Sequence, residues 1–202
     1  MTPGPVDIGI AERTRGGEEQ SGDRCVVAGN GRRVLLGVID GLGHGPEAAQ
    51  AAAAAATILE TFVHEPVDSL LQRCHARLRA TRGAAITIVA IDTSAHSLEW
   101  VGAGNVVAAL QQIEPFGLPA TRELLVRAGA AGTSLSSTRA SRLPLARGDT
   151  LVIATDGVHP TFTNDISGNE TPQHLADRLL QRYATLQDDA LVLVARLKAA
   201  ES

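Results

Sequence analysis

The run Val34-Leu35-Leu36-Gly37-Val38-Ile39-Asp40-Gly41-Leu42-Gly43-His44-Gly45-Pro46 decides the fold of this chain. Its first half is apolar and β-rich, and it ends in an Asp-Gly pair. A short glycine-rich segment then leads into Pro46, which suits the first turn of a helix. The Ala-rich sequence after Pro46 predicts a helix to about residue 63, and Pro66 opens a second predicted helix. A strand followed by two helices, with no parallel strand between them, indicates an antiparallel sheet that packs against a helix hairpin.

The remaining elements support the same fold class. Strands come in runs on both sides of the helix pair, which is typical of α+β proteins and not of alternating βαβ units. We therefore expect a single domain over residues 1–202, built as an α+β layered sandwich of antiparallel sheet and helices. Two longer segments, 133–141 and 158–170, are expected to form mobile, functional surface. The predicted strands cover 6–11, 24–28, 33–39, 85–91, 97–102, 106–110, 123–127, 150–155 and 190–197, and a third helix follows Thr171.

Asn30-Gly31 lies between the second and third predicted strands and is a strong hairpin signal. If this pair forms the centre of a two-residue loop, Asp23 faces Val38 across the hairpin. Asp40 then lies on the same face, diagonal to Asp23, at a Cα distance of about 7–8 Å. Two like charges this close are unfavourable, and cations between them would remove the repulsion.

The composition is that of an ordinary globular chain, with 202 residues of which 44% are hydrophobic and 20% charged. The net charge of −4 and the small number of aromatic residues argue against a nucleic-acid binder, which needs a basic surface and often stacking platforms. Two cysteines, Cys25 and Cys74, are too few for a disulfide framework and are expected in the core. The sequence contains no secretory signal or membrane-spanning stretch. We expect a cytoplasmic monomer with neither a nucleic acid nor a membrane as partner.

Acidic residues stand at the ends of predicted strands in four separate parts of the sequence. Asp40-Gly41 and Asp156-Gly157 each follow an apolar strand, but neither is followed at once by the second strand that a simple hairpin turn needs. Asp188 and Asp189 directly precede the last strand, and in an antiparallel sheet the start of one strand lies beside the end of its neighbour. Asp188 can therefore reach the edge where Asp40 and Asp156 lie. With Asp23 these make four acids from four separate stretches, and they predict an oxygen-rich site for Mg²⁺ or Mn²⁺.

The glycine-rich segment admits other interpretations. Gly41-Leu42-Gly43-His44-Gly45 lies between a strand and a helix, as a dinucleotide-binding fingerprint does. The third glycine of that fingerprint falls on Pro46, however, and a second helix follows where a parallel strand should be. His44 is a candidate general acid, although a histidine directly before a helix is more often a loop or cap residue.

Taken together, these motifs resemble the metal-dependent protein Ser/Thr phosphatases, the PPM family, in its SpoIIE-like branch. The similarity covers nearly the whole chain, with the motifs in the same order and spacing. It is greatest to compact phosphatases of the bacterial stressosome, which act on phosphorylated STAS-domain scaffold and antagonist proteins. The residues that carry the resemblance are 21–23, 38–45, 101–105, 147–151, 155–157 and 188–191.

The resemblance implies an α-β-β-α sandwich, in which two antiparallel sheets face each other and a helix layer covers each one. It also implies two Mn²⁺ or Mg²⁺ ions and hydrolysis by a metal-activated water, without a covalent intermediate. By position, Asp40 would bridge the two ions. The Gly41 carbonyl, Asp156 and Asp188 would complete the shell of one ion, and Asp23 would serve the other, partly through water.

The sequence departs from the family pattern at some positions. Pro160 stands where many relatives carry an acid that can bind a third metal ion, so two ions are expected. Leu42 stands where eukaryotic members carry a histidine proposed as general acid, which leaves water or His44 to protonate the leaving group. For the phosphate-binding arginine of the family, the candidates are Arg13, Arg15 and Arg24.

The functional prediction is a metal-dependent phosphoserine/phosphothreonine protein phosphatase that acts on STAS-domain stress-signalling proteins. Two alternatives stay open. A metal-dependent phosphatase of nucleotides or other small phosphoesters would use the same ions on a different substrate. A catalytically inactive adaptor would bind STAS partners through the same face, but such an adaptor has no need of an intact set of Asp23, Asp40, Asp156 and Asp188.

Overall fold

The computed structural model describes residues 4–113, 119–135 and 138–198. A short 3₁₀ helix, Pro160–Asp165, precedes the last α-helix. In chain order, the strands and α-helices are β1 (Val6–Arg13), β2 (Asp23–Gly29), β3 (Arg33–Gly41), α1 (Pro46–Thr61), α2 (Val67–Leu78), β4 (Ala84–Asp92), β5 (Ser97–Ala103), β6 (Val107–Gln112), β7 (Ala120–Glu123), β8 (Gly129–Ala130), β9 (Ser134–Leu135), β10 (Ser141–Pro144), β11 (Thr150–Ala154), α3 (Pro172–Tyr183) and β12 (Ala190–Leu197).

Two five-stranded antiparallel sheets face each other. The first sheet has the strand order β1-β12-β11-β6-β7 and the second has the order β10-β5-β4-β3-β2. Helices α1 and α2 pack on the outer face of the second sheet, and α3 packs on the outer face of the first. The α-β-β-α sandwich is therefore confirmed. Strand β9 lies within the predicted loop 133–141, of which residues 136–137 fall outside the described ranges.

Alternation of side chains along each strand divides the apolar residues among three layers. On β3, Leu36 and Val38 belong to the core between the sheets, whereas Leu35 and Ile39 pack against α1 and α2. Because both faces of this strand are covered, its sequence is apolar almost throughout. In the described part of the chain, no helix has the length and apolar character needed to cross a membrane.

The register of the β2–β3 hairpin differs from the sequence prediction by two residues. Asp23 pairs directly with Asp40 and not with Val38. The cause is the turn, where the Asn30 side chain accepts hydrogen bonds from the two backbone N–H groups of residues 32–33, at 3.1 and 3.2 Å. Asn30 therefore occupies the first position of the turn, which asparagine favours, instead of its centre. The predicted diagonal arrangement was wrong, and the two aspartates are direct neighbours across the hairpin.

Residues 124–127, which we call the crossing segment, run from one sheet to the other. Leu124 donates a backbone hydrogen bond to the carbonyl of Ala108 in β6, in the first sheet. Arg127 donates a backbone hydrogen bond to the carbonyl of Gly102 in β5, in the second sheet. Because two different sheets satisfy its backbone groups, the segment forms no strand of its own, and the predicted strand over 123–127 was wrong.

Residues 158–170 are anchored against α3 by apolar and ionic contacts. Phe162, on the 3₁₀ helix, is fully buried in the core that α3 forms with the first sheet. Arg178 of α3 contacts the carboxylate of Asp165 at 2.8 Å and that of Glu170 at 2.6 Å. The sequence predicted mobile surface here, but these contacts hold the segment in a defined place beside the end of β11.

Phe162→Ala should destabilise the protein by about 3–5 kcal/mol, because it removes a fully buried aromatic ring. Urea unfolding measures the change. Asn164→Ala, at an exposed position of the same 3₁₀ helix, is the matched control and should change the free energy of unfolding by about 0.5 kcal/mol or less. Similar effects of the two substitutions would show that Phe162 does not anchor this segment.

Candidate metal centre

Four aspartates from the two sheets come together at one end of the sandwich. Asp23 begins β2 and Asp40 lies next to the last residue of β3, so both belong to the second sheet. Asp156 follows β11 and Asp188 precedes β12, so both belong to the first sheet. Strand alternation places Asp40 on the same face as Val38, in the gap between the sheets. The four carboxylates act electrostatically on one another across this gap.

A buried hydrogen bond joins the two sheets within this cluster. The Thr155 hydroxyl donates to Asp23 Oδ2 at 2.7 Å and accepts from the backbone N–H of Leu191 at 2.9 Å. Thr155 is 1% exposed and Asp23 is 5% exposed. Because the hydroxyl donates and accepts within the protein, it fixes the Asp23 carboxylate of the second sheet relative to the first sheet.

Both Asp-Gly pairs carry glycine because another backbone passes too close for a side chain. A Cβ atom on Gly41 would overlap the carbonyl oxygen of Ala48 in the first turn of α1. A Cβ atom on Gly157 would overlap the carbonyl oxygen of Asp189, directly before β12. These close approaches pack α1 against the end of β3, and the start of β12 against the end of β11. They therefore set the positions of the aspartates that precede the two glycines.

Burial and mutual repulsion raise the pKa values of the carboxylates. The pKa of Asp40 rises to about 8 and that of Asp23 to about 7, first because burial disfavours the charged form and also because the neighbouring carboxylates repel it. The hydrogen bond from Thr155 opposes the rise at Asp23. The pKa of Asp156 is also raised, by burial and then by repulsion from Asp188. The charges that raise these pKa values are all negative, which favours a proton or a cation at this site.

The carboxyl groups of Asp40 and Asp156 are close enough to share a proton, and their contact raises the pKa of Asp40 and lowers that of Asp156. The side-chain amide of Asn105 donates to Asp156 Oδ2 at 2.6 Å. Asn105 therefore holds Asp156 in place without adding a charge. When Asp40 ionises, a divalent cation could replace the proton between the two carboxylates and offset their repulsion.

The donors of the cluster fit Mg²⁺ or Mn²⁺. Among the residues that the structure describes, no group of three or more His, Cys, Asp or Glu side chains lies in an arrangement that could hold a metal ion. Asp40 instead contacts Asp156, and Asp23 contacts Thr155. The side-chain donors of the cluster are carboxylate oxygens, and hard oxygen donors suit Mg²⁺ or Mn²⁺ better than Zn²⁺. The donor chemistry and the unbalanced negative charge both agree with such an ion.

His44, the predicted general acid, lies on the loop between β3 and α1. Its side chain is 51% exposed, and its Nδ1 atom lies 2.8 Å from Oε1 of Glu18. The structure therefore gives His44 a carboxylate partner of its own, outside the four aspartates. Its role in the reaction stays a prediction.

The structure separates the three arginines that the sequence offered as phosphate-binding candidates. Arg24 lines a surface pocket together with Asp23, so it lies beside the cluster. The Arg13 guanidinium donates to a backbone carbonyl of the loop before β12. Arg15 contributes its backbone N–H, which donates to Asp189. Because Arg24 directly follows Asp23 in β2, the two side chains leave opposite faces of the strand, and the phosphate-binding role of these arginines stays a prediction.

Sequence reasoning missed three residues that hold the cluster together: Thr155, Asn105 and Asp189. Asp189 is 3% exposed and accepts hydrogen bonds from two backbone N–H groups of the loop before β2, at 2.7 and 2.8 Å. It therefore anchors that loop, and its charge, like that of Asp188, raises the pKa of Asp23. Strand alternation could have separated the two, since consecutive residues face opposite ways. Thr155 and Asn105 lie in the segments 155–157 and 101–105 that carry the family resemblance, but the sequence did not assign them these contacts because their partners are distant in sequence.

Comparisons with known proteins agree with this architecture. The family model Stage II sporulation protein E (SpoIIE) matches residues 30–198. The curated protein phosphoserine phosphatase RsbX of Bacillus subtilis strain 168 is 22% identical over 194 residues, which cover 93% of each chain. One similar solved structure comes from work that describes the bacterial stressosome as a modular system adapted to control secondary messenger signalling. It has a TM-score of 0.85 and 28% sequence identity, and the match covers 95% of this chain and 99% of that one. RsbX in complex with magnesium has a TM-score of 0.85 and 22% identity, with 96% of each chain covered.

Without divalent cations, the free energy of unfolding should fall as the pH rises from about 4 to about 8. In the unfolded chain, Asp23 and Asp40 release their protons near pH ~4. The folded protein retains them until about pH 7 for Asp23 and about pH 8 for Asp40. The folded state therefore binds more protons in this window, and raising the pH favours unfolding. Thermal unfolding in EDTA from pH 5 to pH 8 measures the fall, and Mn²⁺ should abolish it.

Asp40→Asn is the control for this pH dependence. It removes the larger of the two pKa shifts, so its melting temperature in EDTA should fall less over the same range and exceed that of the wild type at pH 8. A wild-type melting temperature in EDTA that is constant, or that rises relative to the variant, would contradict the protonation of these aspartates.

Thr155→Val should lower the free energy of unfolding by about 1–3 kcal/mol, because the Asp23 carboxylate and the Leu191 N–H both lose a buried partner. It should also weaken Mn²⁺ binding in a calorimetric titration, since Asp23 is no longer held. Thr155→Ser keeps the hydroxyl and should stay close to the wild type in both measurements. Equal Mn²⁺ affinity in the valine variant would show that Thr155 does not position Asp23.

Proposed function

The chain belongs to the Stage II sporulation protein E (SpoIIE) family, and from this membership we propose that it is a Mn²⁺- or Mg²⁺-dependent protein serine/threonine phosphatase. The observation that carries the proposal is the cluster of Asp23, Asp40, Asp156 and Asp188, which belong to two sheets and face one gap. A purely structural role does not account for such a cluster, because buried like charges destabilise the fold.

Each aspartate has a proposed part in holding two ions. Asp40 contacts Asp156 and faces Asp23 across the hairpin, which suits a ligand shared by both ions. Asp156, Asp188 and the Gly41 carbonyl serve one ion, and Asp23 serves the other. When bound, such ions lower the pKa of an attacking water and neutralise the phosphoryl oxygens.

In the proposed mechanism, side chains of the protein position the ions and the substrate and donate a proton, and none of them acts as the nucleophile. Burial raises the pKa of Cys25 to about 11 and that of Cys74 to about 12, so neither is a thiolate near neutral pH. This agrees with direct attack of water on phosphorus, without a covalent intermediate, as the family resemblance implies. The bond between phosphorus and the serine or threonine oxygen breaks, and that oxygen takes a proton. With His44 Nδ1 held by Glu18, Nε2 is the ring nitrogen proposed to deliver this proton.

Phosphorylated STAS-domain proteins of a bacterial stress-signalling assembly are the proposed substrates. RsbX, a phosphoserine phosphatase, matches over 93% of this chain, and a structure from work on the stressosome matches over 95% of it. A protein substrate agrees with the exposure of Asp156. Because this residue lies at the surface, a phosphorylated side chain of another folded protein can reach it.

Hydrolysis of p-nitrophenyl phosphate should require Mn²⁺ or Mg²⁺, stop in EDTA, and fall by at least about a hundredfold in Asp40→Asn, because the ligand shared by both ions is lost. A phosphorylated STAS-domain protein should be hydrolysed with a much higher kcat/KM than nucleotides.

Asp149→Asn is the matched control for this experiment. Asp149 is also a buried aspartate, but it accepts backbone hydrogen bonds from Ile113 and Ala146 at the opposite end of β11. Its substitution should leave the metal dependence unchanged. Activity that survives EDTA and Asp40→Asn would overturn the metal mechanism, and Mn²⁺ binding without turnover of any phosphate ester would favour the adaptor.

A further inference from the structure

A groove of about 510 Å³ begins at the candidate metal centre and follows the crossing segment. Its volume lies in the range of about 300–1,000 Å³ that is typical of ligand pockets. Asn105 and Asp156 line one end, so the groove opens beside a carboxylate of the cluster. We call this depression the side groove, and its apolar walls are Val107, Leu124, Leu125, Val126, Val158 and Pro160.

Leu125 presents an apolar side chain to solvent on a backbone that is held in place. The residue is 78% exposed, yet its carbonyl accepts a hydrogen bond from Trp100 Nε1 at 3.1 Å. Two residues later, the Arg127 carbonyl accepts from the N–H of Gly104 at 2.9 Å. A single exposed leucine is ordinary on a protein surface. A leucine fixed on the wall of an apolar groove, by contrast, is a contact already in position for a ligand.

The charges along the side groove restrict what it can accept. The charged residues that line it are Glu123 and Asp156, and both are acidic. An acidic segment of a partner would therefore be repelled, and the rest of the lining is mostly apolar. An aliphatic side chain matches the walls, and its burial there removes apolar surface of both partners from water.

We propose that the side groove binds an apolar side chain of the phosphorylated protein, within a few residues of the phosphoserine or phosphothreonine. The inference rests on the proposed function, since the phosphoryl group has to lie at the four aspartates for the adjacent chain to reach the groove. The supporting observation is continuity, because Asp156 belongs both to the cluster and to the groove lining. In this proposal the aspartates hold the ions that promote hydrolysis, and Leu125 and its neighbours select the substrate.

Leu125→Ala tests the proposal with two phosphoserine peptides that differ only in carrying leucine or alanine within two residues of the phosphoserine. The wild type should prefer the leucine peptide, and the substitution should lower kcat/KM for that peptide about tenfold. Hydrolysis of the alanine peptide and of p-nitrophenyl phosphate should change by less than about twofold. Ile113→Ala, at a 51% exposed position beyond the opposite end of β6, is the matched control and should affect none of the three substrates.

Binding of the same labelled peptides, followed by fluorescence anisotropy, separates the two proposals. If the wild type does not hydrolyse p-nitrophenyl phosphate, the proposed function is overturned, and tighter binding of the leucine peptide to the wild type than to Leu125→Ala still supports the groove. If hydrolysis is intact and the two peptides bind and react alike in both proteins, the groove proposal is overturned. An equal loss of all three substrates in Leu125→Ala would also overturn it, because the leucine would then act on the metal centre.

Discussion

Repulsion among buried carboxylates is the constraint on which the rest of this structure depends. Asp23 and Asp40 are direct partners across a hairpin, where like charges are least favourable, and burial raises the pKa of both. The apolar layers between and outside the sheets hold these groups together against that repulsion. A proton between Asp40 and Asp156 relieves it at low pH, and divalent cations relieve it at the pH of the cell.

The site can lie only at the seam between the two sheets, because each sheet supplies half of the charge. The relative position of the sheets therefore has to be fixed locally as well as by the core. The hydrogen bond from Thr155 to Asp23, at 2.7 Å, is one direct link across the seam, and the hydrogen bond from the Gly22 N–H to Asp189, also at 2.7 Å, is another. The close approach of α1 at Gly41 and of the start of β12 at Gly157 sets the two strand ends that carry Asp40 and Asp156.

The sequence predicted those parts of the molecule that local chemistry determines. Residues 33–41 could be recognised as a strand because both of its faces are covered, and the aspartates could be recognised because they stand at strand ends. The register of the hairpin could not be predicted, since Asn30 binds the turn through its side chain. The crossing segment was missed for a related reason, because its hydrogen bonds go to two sheets and leave no periodic pattern in the sequence.

The residues next to Asp156 belong both to the candidate metal centre and to the side groove that we propose selects the substrate. Here the chain carries Asn105, which donates a neutral hydrogen bond, and Pro160, which stands where the family resemblance implies an acid in many relatives. A carboxylate at residue 160 would add another negative charge next to Asp156 and would favour a further cation there. Proline instead forms an uncharged wall that continues through Val158 to Leu125. The same proline that argues for two ions over three therefore extends an apolar surface up to Asp156, the proposed metal ligand. The chain next to a phosphorylated residue would pass there if the proposed function holds.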